Sequence, residues 1–151
     1  MNTELVPETS RHITIDRLPT WQRLEAEGAD LVLAAEPVQE GHFRPNLVVT
    51  SFPFLGSIEK FSTMAMANTR ARLKAVYFIA VEEWQAGDAP GRRFQYNHRL
   101  QGRSVHCQDW IVLTGRRAVM VTASCASNQL GANDFAFAVM ADSITVKGQE
   151  A

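Results

Sequence analysis

Residues 43–77 constrain this chain most. A β-rich run, Phe43-Arg44-Pro45-Asn46-Leu47-Val48-Val49-Thr50-Ser51-Phe52-Pro53-Phe54, stops at Leu55-Gly56-Ser57 and gives way to about twenty residues of helical periodicity. Pro45 marks the start of the strand and Pro53 its end, because proline cannot donate to a ladder. Leu47-Val48-Val49-Thr50 is apolar on both faces, so the strand is either covered on both sides or central in its sheet. Ser57 reads as an N-cap. At about 100° per residue, Ile58, Phe61, Ala65, Thr69, Leu73 and Val76 share one arc, with Met66 at its edge. Glu59, Lys60, Thr63, Arg70 and Lys74 lie opposite, which describes a helix crossing a sheet with one wet face. Met64 falls outside the main arc and is either part of a second contact surface or an ordinary half-exposed methionine.

The rest of the chain is placed around that unit. Residues 1–10 are polar and are expected to be frayed. A short β-type run at 11–15 ends near Pro19, and residues 21–28 suggest one or two helical turns stopped by Gly28. Residues 30–36 form a strand that pairs with 43–54 as an antiparallel hairpin. From Tyr77 the period changes to two. One strand covers 77–84, followed by a loop at 86–91. Phe94, Tyr96, His98 and Leu100 then point one way, and Arg93, Gln95, Asn97, Arg99 and Gln101 the other. Gln101-Gly102 is a two-residue turn that places Tyr96 opposite Cys107, His98 opposite Val105 and Phe94 opposite Asp109. On the other face it places Asn97 opposite His106, Gln95 opposite Gln108 and Arg93 opposite Trp110. A turn at Gly115-Arg116-Arg117 leads into a strand at 118–125. After a polar loop at 127–132, Asn133 or Asp134 caps a last helix from Phe135 to about Thr145. Phe137, Met140, Ala141 and Ile144 form its main arc. Phe135, Val139 and Val146 form a second arc, for which internal packing is the favoured reading. The order is β, ββ, α, ββββ, α. It describes one α+β domain over residues 1–151: an antiparallel sheet of about six to seven strands with a central and a C-terminal helix packed on it. It is not the alternating βα of a nucleotide-binding parallel sheet.

With 151 residues and 46% hydrophobic content the chain can bury a real core. Its net charge of −1 gives no overall pull toward nucleic acid or acidic membranes. The charge is unevenly distributed. Residues 1–40 carry eight acids against three bases, and residues 91–117 carry six arginines against one acid, Asp109. The first ten residues have no basic n-region and no apolar h-region, and no run approaches the ~18 apolar residues of a membrane span, so a cytoplasmic location is expected. Two cysteines do not make a disulfide framework. Cys107 and Cys125 face each other if the turn is Gly115-Arg116-Arg117 and miss by one if it is Gly115-Arg116. Two free buried thiols are expected.

Phosphate-loop, dinucleotide, zinc-protease and nucleophile-elbow motifs are absent. His12, His42, His98 and His106 are scattered, so no metal and no cofactor are expected. His106 and Cys107 are adjacent on a strand and point to opposite faces, which argues against a Cys–His nucleophile pair. Tyr96, His98, Cys107 and Asp109 share a face. Asp109, amid arginines and apolar neighbours, is expected to make a structural ion pair or hydrogen bond. The other face carries Arg93, Gln95, Asn97, Arg99, His106, Gln108 and Trp110. Arginine and tryptophan dominate binding hot spots, but a face of mixed polar groups can also be the solvated side of a sheet. Few lysines and a single aromatic on this face argue against nucleic acid.

Leu18-Pro19-Thr20-Trp21 after the first strand, and Phe43-Arg44-Pro45-Asn46-Leu47-Val48-Val49-Thr50 before the helix, resemble the PsbP-like superfamily. That group includes the photosystem PsbP proteins, the Ran-binding Mog proteins, the DcrB-like proteins and the actinobacterial LpqN lipoproteins. The order of helix, meander and last helix matches as well, and the likeness is greatest to LpqN. No signal peptide or lipobox cysteine is seen, so membrane anchoring is not carried over. The resemblance implies a non-enzymatic binding, chaperone or assembly role without shared catalytic residues. A protein partner is expected on Arg93, Asn97, Arg99, His106 and Trp110, or on the last helix. The alternative is a small-ligand binder or enzyme with a pocket between sheet and helix near Tyr96, His98 and Asp109. A homodimer through edge strands or the last helix's second arc fits either. On this reading residues 43–77 are scaffold, and the meander after them is the working surface.

Overall fold

Residues 4–147 are described by a computed structural model. In chain order the elements are β1 (Val6–Thr9), β2 (Ile13–Arg17), β3 (Gln22–Leu24), β4 (Leu31–Ala34), β5 (Asn46–Pro53), α1 (Ile58–Arg72), β6 (Lys74–Ala86), β7 (Ala89–Leu100), β8 (Arg103–Thr114), β9 (Arg117–Ala126), α2 (Leu130–Asp142) and β10 (Thr145–Val146). Seven strands form one antiparallel sheet in the order β3-β4-β5-β9-β8-β7-β6. A three-stranded sheet, β1-β2-β10, is separate from it. The architecture is α+β, with both helices packed on the large sheet.

Local chemistry accounts for the β7–β8 hairpin. Gln101 and Gly102 both take positive φ, 51° and 77°, the type I′ geometry whose twist matches that of the flanking strands. The register follows the alternation: Phe94 opposite Asp109, Tyr96 opposite Cys107, His98 opposite Val105, Arg93 opposite Trp110. Between β8 and β9 the turn has two residues, because Thr114 pairs with Arg117. Cys107 therefore faces Ser124, and Cys125 faces His106. Both thiols are free and buried.

Helix α1 starts where capping chemistry places it. Ser57 is extended, and its hydroxyl accepts from the Lys60 amide at 3.1 Å. Ser57→Ala should cost about 1 kcal/mol in urea denaturation, since one amide at the helix start loses its partner; an unchanged midpoint would show that water replaces the hydroxyl in full. The helix ends at Arg72 rather than continuing to Val76. Leu73 is extended (φ −108°, ψ 158°) and Ala75 takes φ 53°, so Val76 joins β6.

Four further expectations are corrected. Residues 21–28 form no helical turn: with only Trp21 and Leu24 as large apolar side chains they cannot bury a helical face, and β3 instead takes a ladder from β4. Trp21 leaves the surface to meet Phe137 edge-on at 6.2 Å. Residues 6–9 are not frayed. They pair with β2, and Glu8 accepts from Arg17 at 2.7 Å and Arg23 at 3.0 Å; residues 1–3 lie outside the described part. The last helix starts at Leu130, after a 3-10 turn at Ser127–Gln129, so neither Asn133 nor Asp134 caps it. Its second arc does not pack as a unit, since Phe135 is 79% exposed and Val146 belongs to β10.

The two faces of the large sheet are covered differently. Leu33, Leu47, Val49, Val121 and Ala123 point to the side where α2 and the small sheet lie, and enclose Ile13, Ile15, Phe137 and Met140 in the main core. On the opposite side Phe61 and Ala65 of α1 pack with Phe94, Tyr96, Cys107 and Ile111. Helix α1 lies over β6, β7 and β8. The same face of β5 and β9 is left without a helix above it.

Candidate functional site

That uncovered half-sheet is the floor of an open cavity of about 800 Å³. Alternation on the strands sets its surface: Val48, Thr50 and Phe52 from β5, Met120, Thr122 and Ser124 from β9, Cys107 from β8, Tyr96 and His98 from β7. The wall is the flank of α1. Met64, Asn68 and Arg72, four residues apart, form a stripe beside the packed arc of Phe61, Ala65 and Thr69.

The cavity has two ends of different chemistry. Pairing places Phe52 beside Ala118 and Thr50 beside Met120, so the Phe52 end is apolar and is closed by Phe54, whose ring meets Phe61 at 4.9 Å. At the other end Ser124 lies opposite Cys107, which lies opposite Tyr96, and His98 is two residues further along β7. Arg72, at the last turn of α1, brings its charge to this end and acts on both His98 and Asp109. No carboxylate lies within ion-pair distance of Arg72 among the described residues.

Four buried titratable groups sit at or just behind the polar end. His98 is 7% exposed, and its Nδ1 has no hydrogen-bond partner. Burial lowers its pKa and the Arg72 charge acts the same way, with only the adjacent Arg99 backbone opposing, so the ring is held neutral. The Tyr96 hydroxyl donates to Asp109 Oδ1 at 3.2 Å; burial first, then the Asp109 charge, pushes the phenol well above its ordinary range. Burial also pushes Asp109 up to about 6, against the opposing contacts with Thr122, Tyr96 and Arg72. Asp109 makes a hydrogen bond and no ion pair, and it stands behind Tyr96 rather than in the cavity wall. Burial pushes the Cys107 thiol up to about 12, so it is not a nucleophile at neutral pH. Among the described residues no cluster of His, Cys, Asp and Glu could hold a metal ion.

The arginine–tryptophan face lies on the other side of the sheet, and its centre is buried. Trp110 and His106 are 3% and 2% exposed. The reason is tertiary: α2 and the small sheet close over them, and their polar neighbours bond among themselves. Gln108 Nε2 donates to Asp134 of α2 at 2.9 Å, and Arg93 donates to Gln108 at 2.8 Å with its guanidinium 5.6 Å from the Trp110 ring. His106 Nδ1 meets Asn97 Oδ1 at 2.9 Å. Arg93 and Asn97 are half-buried in this network, and only Arg99, near the hairpin tip, is exposed.

Of the residues singled out from sequence, Tyr96 and His98 meet at the cavity with Asp109 behind them. Arg93, Asn97, His106 and Trp110 meet in the internal network, and Arg99 joins neither. Reading along the chain missed Arg72, Asn68, Thr122 and Ser124. A signal for the helical pair existed in the spacing of Met64, Asn68 and Arg72.

No family model matches the chain, and no curated protein matches it in sequence. Solved structures do match in shape. LpqN of Mycobacterium tuberculosis, described as involved in cell envelope biogenesis, superposes with a TM-score of 0.73 at 11% identity, covering 95% of this chain and 90% of LpqN. Cyanobacterial PsbP from Synechocystis gives 0.66 at 12% identity over 97% and 94%. PA94 of Pseudomonas aeruginosa, a putative regulator of unknown function, gives 0.66 at 10% identity over 82% and 94%. At these identities the likeness is one of fold: over nearly its whole length the chain has the PsbP-like fold that LpqN and cyanobacterial PsbP share.

Proposed function

We propose that this protein is a non-enzymatic binding protein of PsbP-like type, and that its ligand is an elongated apolar or amphipathic small molecule held between α1 and the β5–β9 half of the sheet. One observation carries the reading: the cavity of about 800 Å³, apolar at one end and polar at the other, open beside a helix that covers only half of its sheet. Its size lies within the roughly 300–1,000 Å³ of small-molecule sites, and its mixture of apolar walls with a few convergent polar groups is the usual composition of one. A protein partner on the arginine–tryptophan face is the weaker reading, because Trp110 and His106 are already buried within the fold. A catalytic role is not favoured: the Cys107 thiol is held protonated, and the Tyr96 hydroxyl is committed to Asp109.

The neutral fluorophore N-phenyl-1-naphthylamine tests the site. Its emission should rise on addition of the protein, as it does in any dry apolar pocket. Thr50→Trp, which fills the floor from a half-buried strand position, should abolish most of that rise while circular dichroism stays native. No enhancement with the wild-type protein, or an equal one with the folded variant, would remove the cavity as the site.

A further inference from the structure

We propose that the ligand's head group is an anion of the carboxylate type, received by Arg72 beside His98 at the polar end of the cavity. The inference rests on the cavity reading above and adds the charge class.

Arg72 is the one charged side chain in the cavity wall, and no acid lines it. The nearest acid, Asp109, is 1% exposed and engaged by Tyr96, so it is not presented to a ligand. Nor does any carboxylate among the described residues pair with Arg72, although Arg92 pairs with Glu59 and Arg93 with Glu82 elsewhere in the fold. A guanidinium presents a planar fork of donors that fits a carboxylate with two parallel hydrogen bonds.

His98 lines the same end of the cavity and is more than nine-tenths buried. Its unpartnered Nδ1 is itself shielded from the cavity, so the ring gives Arg72 a neutral neighbour there, and the contact to the ligand is Arg72's. A carboxylate accepts hydrogen bonds only, which suits Arg72, a donor without acceptor capacity, and the Asn68 amide and Thr69 hydroxyl beside it can donate as well. A cationic head would be repelled by Arg72. A neutral hydroxyl would satisfy part of the site and leave the guanidinium without its counter-charge. From the polar end to Phe52 and Phe54 the walls turn apolar, so the molecule is a single-chain amphiphile with its tail toward those rings.

Isothermal titration with three twelve-carbon probes below their micellar concentrations separates the possibilities: dodecanoate, 1-dodecanol and dodecylammonium. Dodecanoate should bind about tenfold or more tighter than dodecanol, the usual difference for a charge-assisted pair, and dodecylammonium weakest. Arg72→Gln, at an exposed helix position, should bring dodecanoate down to the level of dodecanol and leave dodecanol unchanged. Arg72→Lys should keep part of the preference. Equal binding of dodecanoate and dodecanol, or a preference that survives Arg72→Gln, overturns the anionic head. If dodecanoate fails to bind while N-phenyl-1-naphthylamine still enters, the head-group inference falls and the cavity reading stands. If neither enters, both fall.

Discussion

Replacing Asp109 by asparagine should stabilise the protein by about 3 kcal/mol at pH 8 and by almost nothing below pH 4. The carboxyl is 1% exposed, and burial has moved it from 3.8 to about 6. Between those two values the folded state holds the proton and the unfolded chain does not. Stability therefore falls as pH rises through this window, and the deficit is complete above the folded value. The gap between the two values corresponds to the quoted size, as an order of magnitude. Asparagine keeps the shape of the protonated acid: its carbonyl accepts from Tyr96, and its amide can serve the Thr122 hydroxyl across the strand pair. The measurement is urea denaturation of both proteins at pH 4, 6 and 8. Comparing variant with wild type isolates Asp109 from His12, His98 and His106. These are lowered by burial and act in the opposite sense, adding stability above pH 6.5 that is lost as pH falls through their folded values. A variant no more stable at pH 8 would mean that the charged carboxylate is solvated in a way the fold does not show.

Phe137→Ala should cost about 3–5 kcal/mol, a large share of the stability of a domain this size. Phe137 has no exposed surface. With Met140 and Ala141 it carries α2 into the main core, and its ring holds Trp21 edge-on. Truncation leaves a hole between α2, the small sheet and the large one, and neighbours anchored in three different elements cannot collapse into it together. Denaturant midpoints compared with wild type at pH 7 give the loss. A cost below about 1 kcal/mol would show that α2 can slide to fill the space, and that it is held less firmly than the burial implies.

How legible the molecule was depends on the range of the interactions involved. Helix α1 and the β7–β8 hairpin could be read directly. Their patterns are local: a 3.6 period after a serine cap, and strict alternation on both sides of Gln101-Gly102. Once that turn is specified every pair across it follows, including Tyr96 opposite Cys107 and Arg93 opposite Trp110. β1, β3 and β10 could not be read. Strands of two to four residues carry too little periodicity, and β10 exists only because β2, at the other end of the chain, offers it a ladder. The start of α2 was misplaced because Asp134, a natural cap, bonds instead to Gln108 on β8. The arginine–tryptophan face shows the same limit at the level of function: alternation says which side chains share a face, and nothing local says what will cover that face.

Residues 43–77 show both sides of that division. Their sequence by itself determined a strand between two prolines, a capped helix after it, and the apolar character of both faces of the strand at Leu47-Val48-Val49-Thr50, because backbone geometry turns spacing directly into facing. Only the tertiary structure decided that α1 would cross β6, β7 and β8 and leave β5 and β9 bare. That choice turns what reads as scaffold into twelve of the eighteen walls of the cavity, with Met64 and Arg72 on its rim. A helix of given amphipathicity can lie over any part of a sheet. Where it rests is set by the best packing among Phe61, Phe94, Tyr96 and Ile111, residues brought together by pairings that span the whole chain.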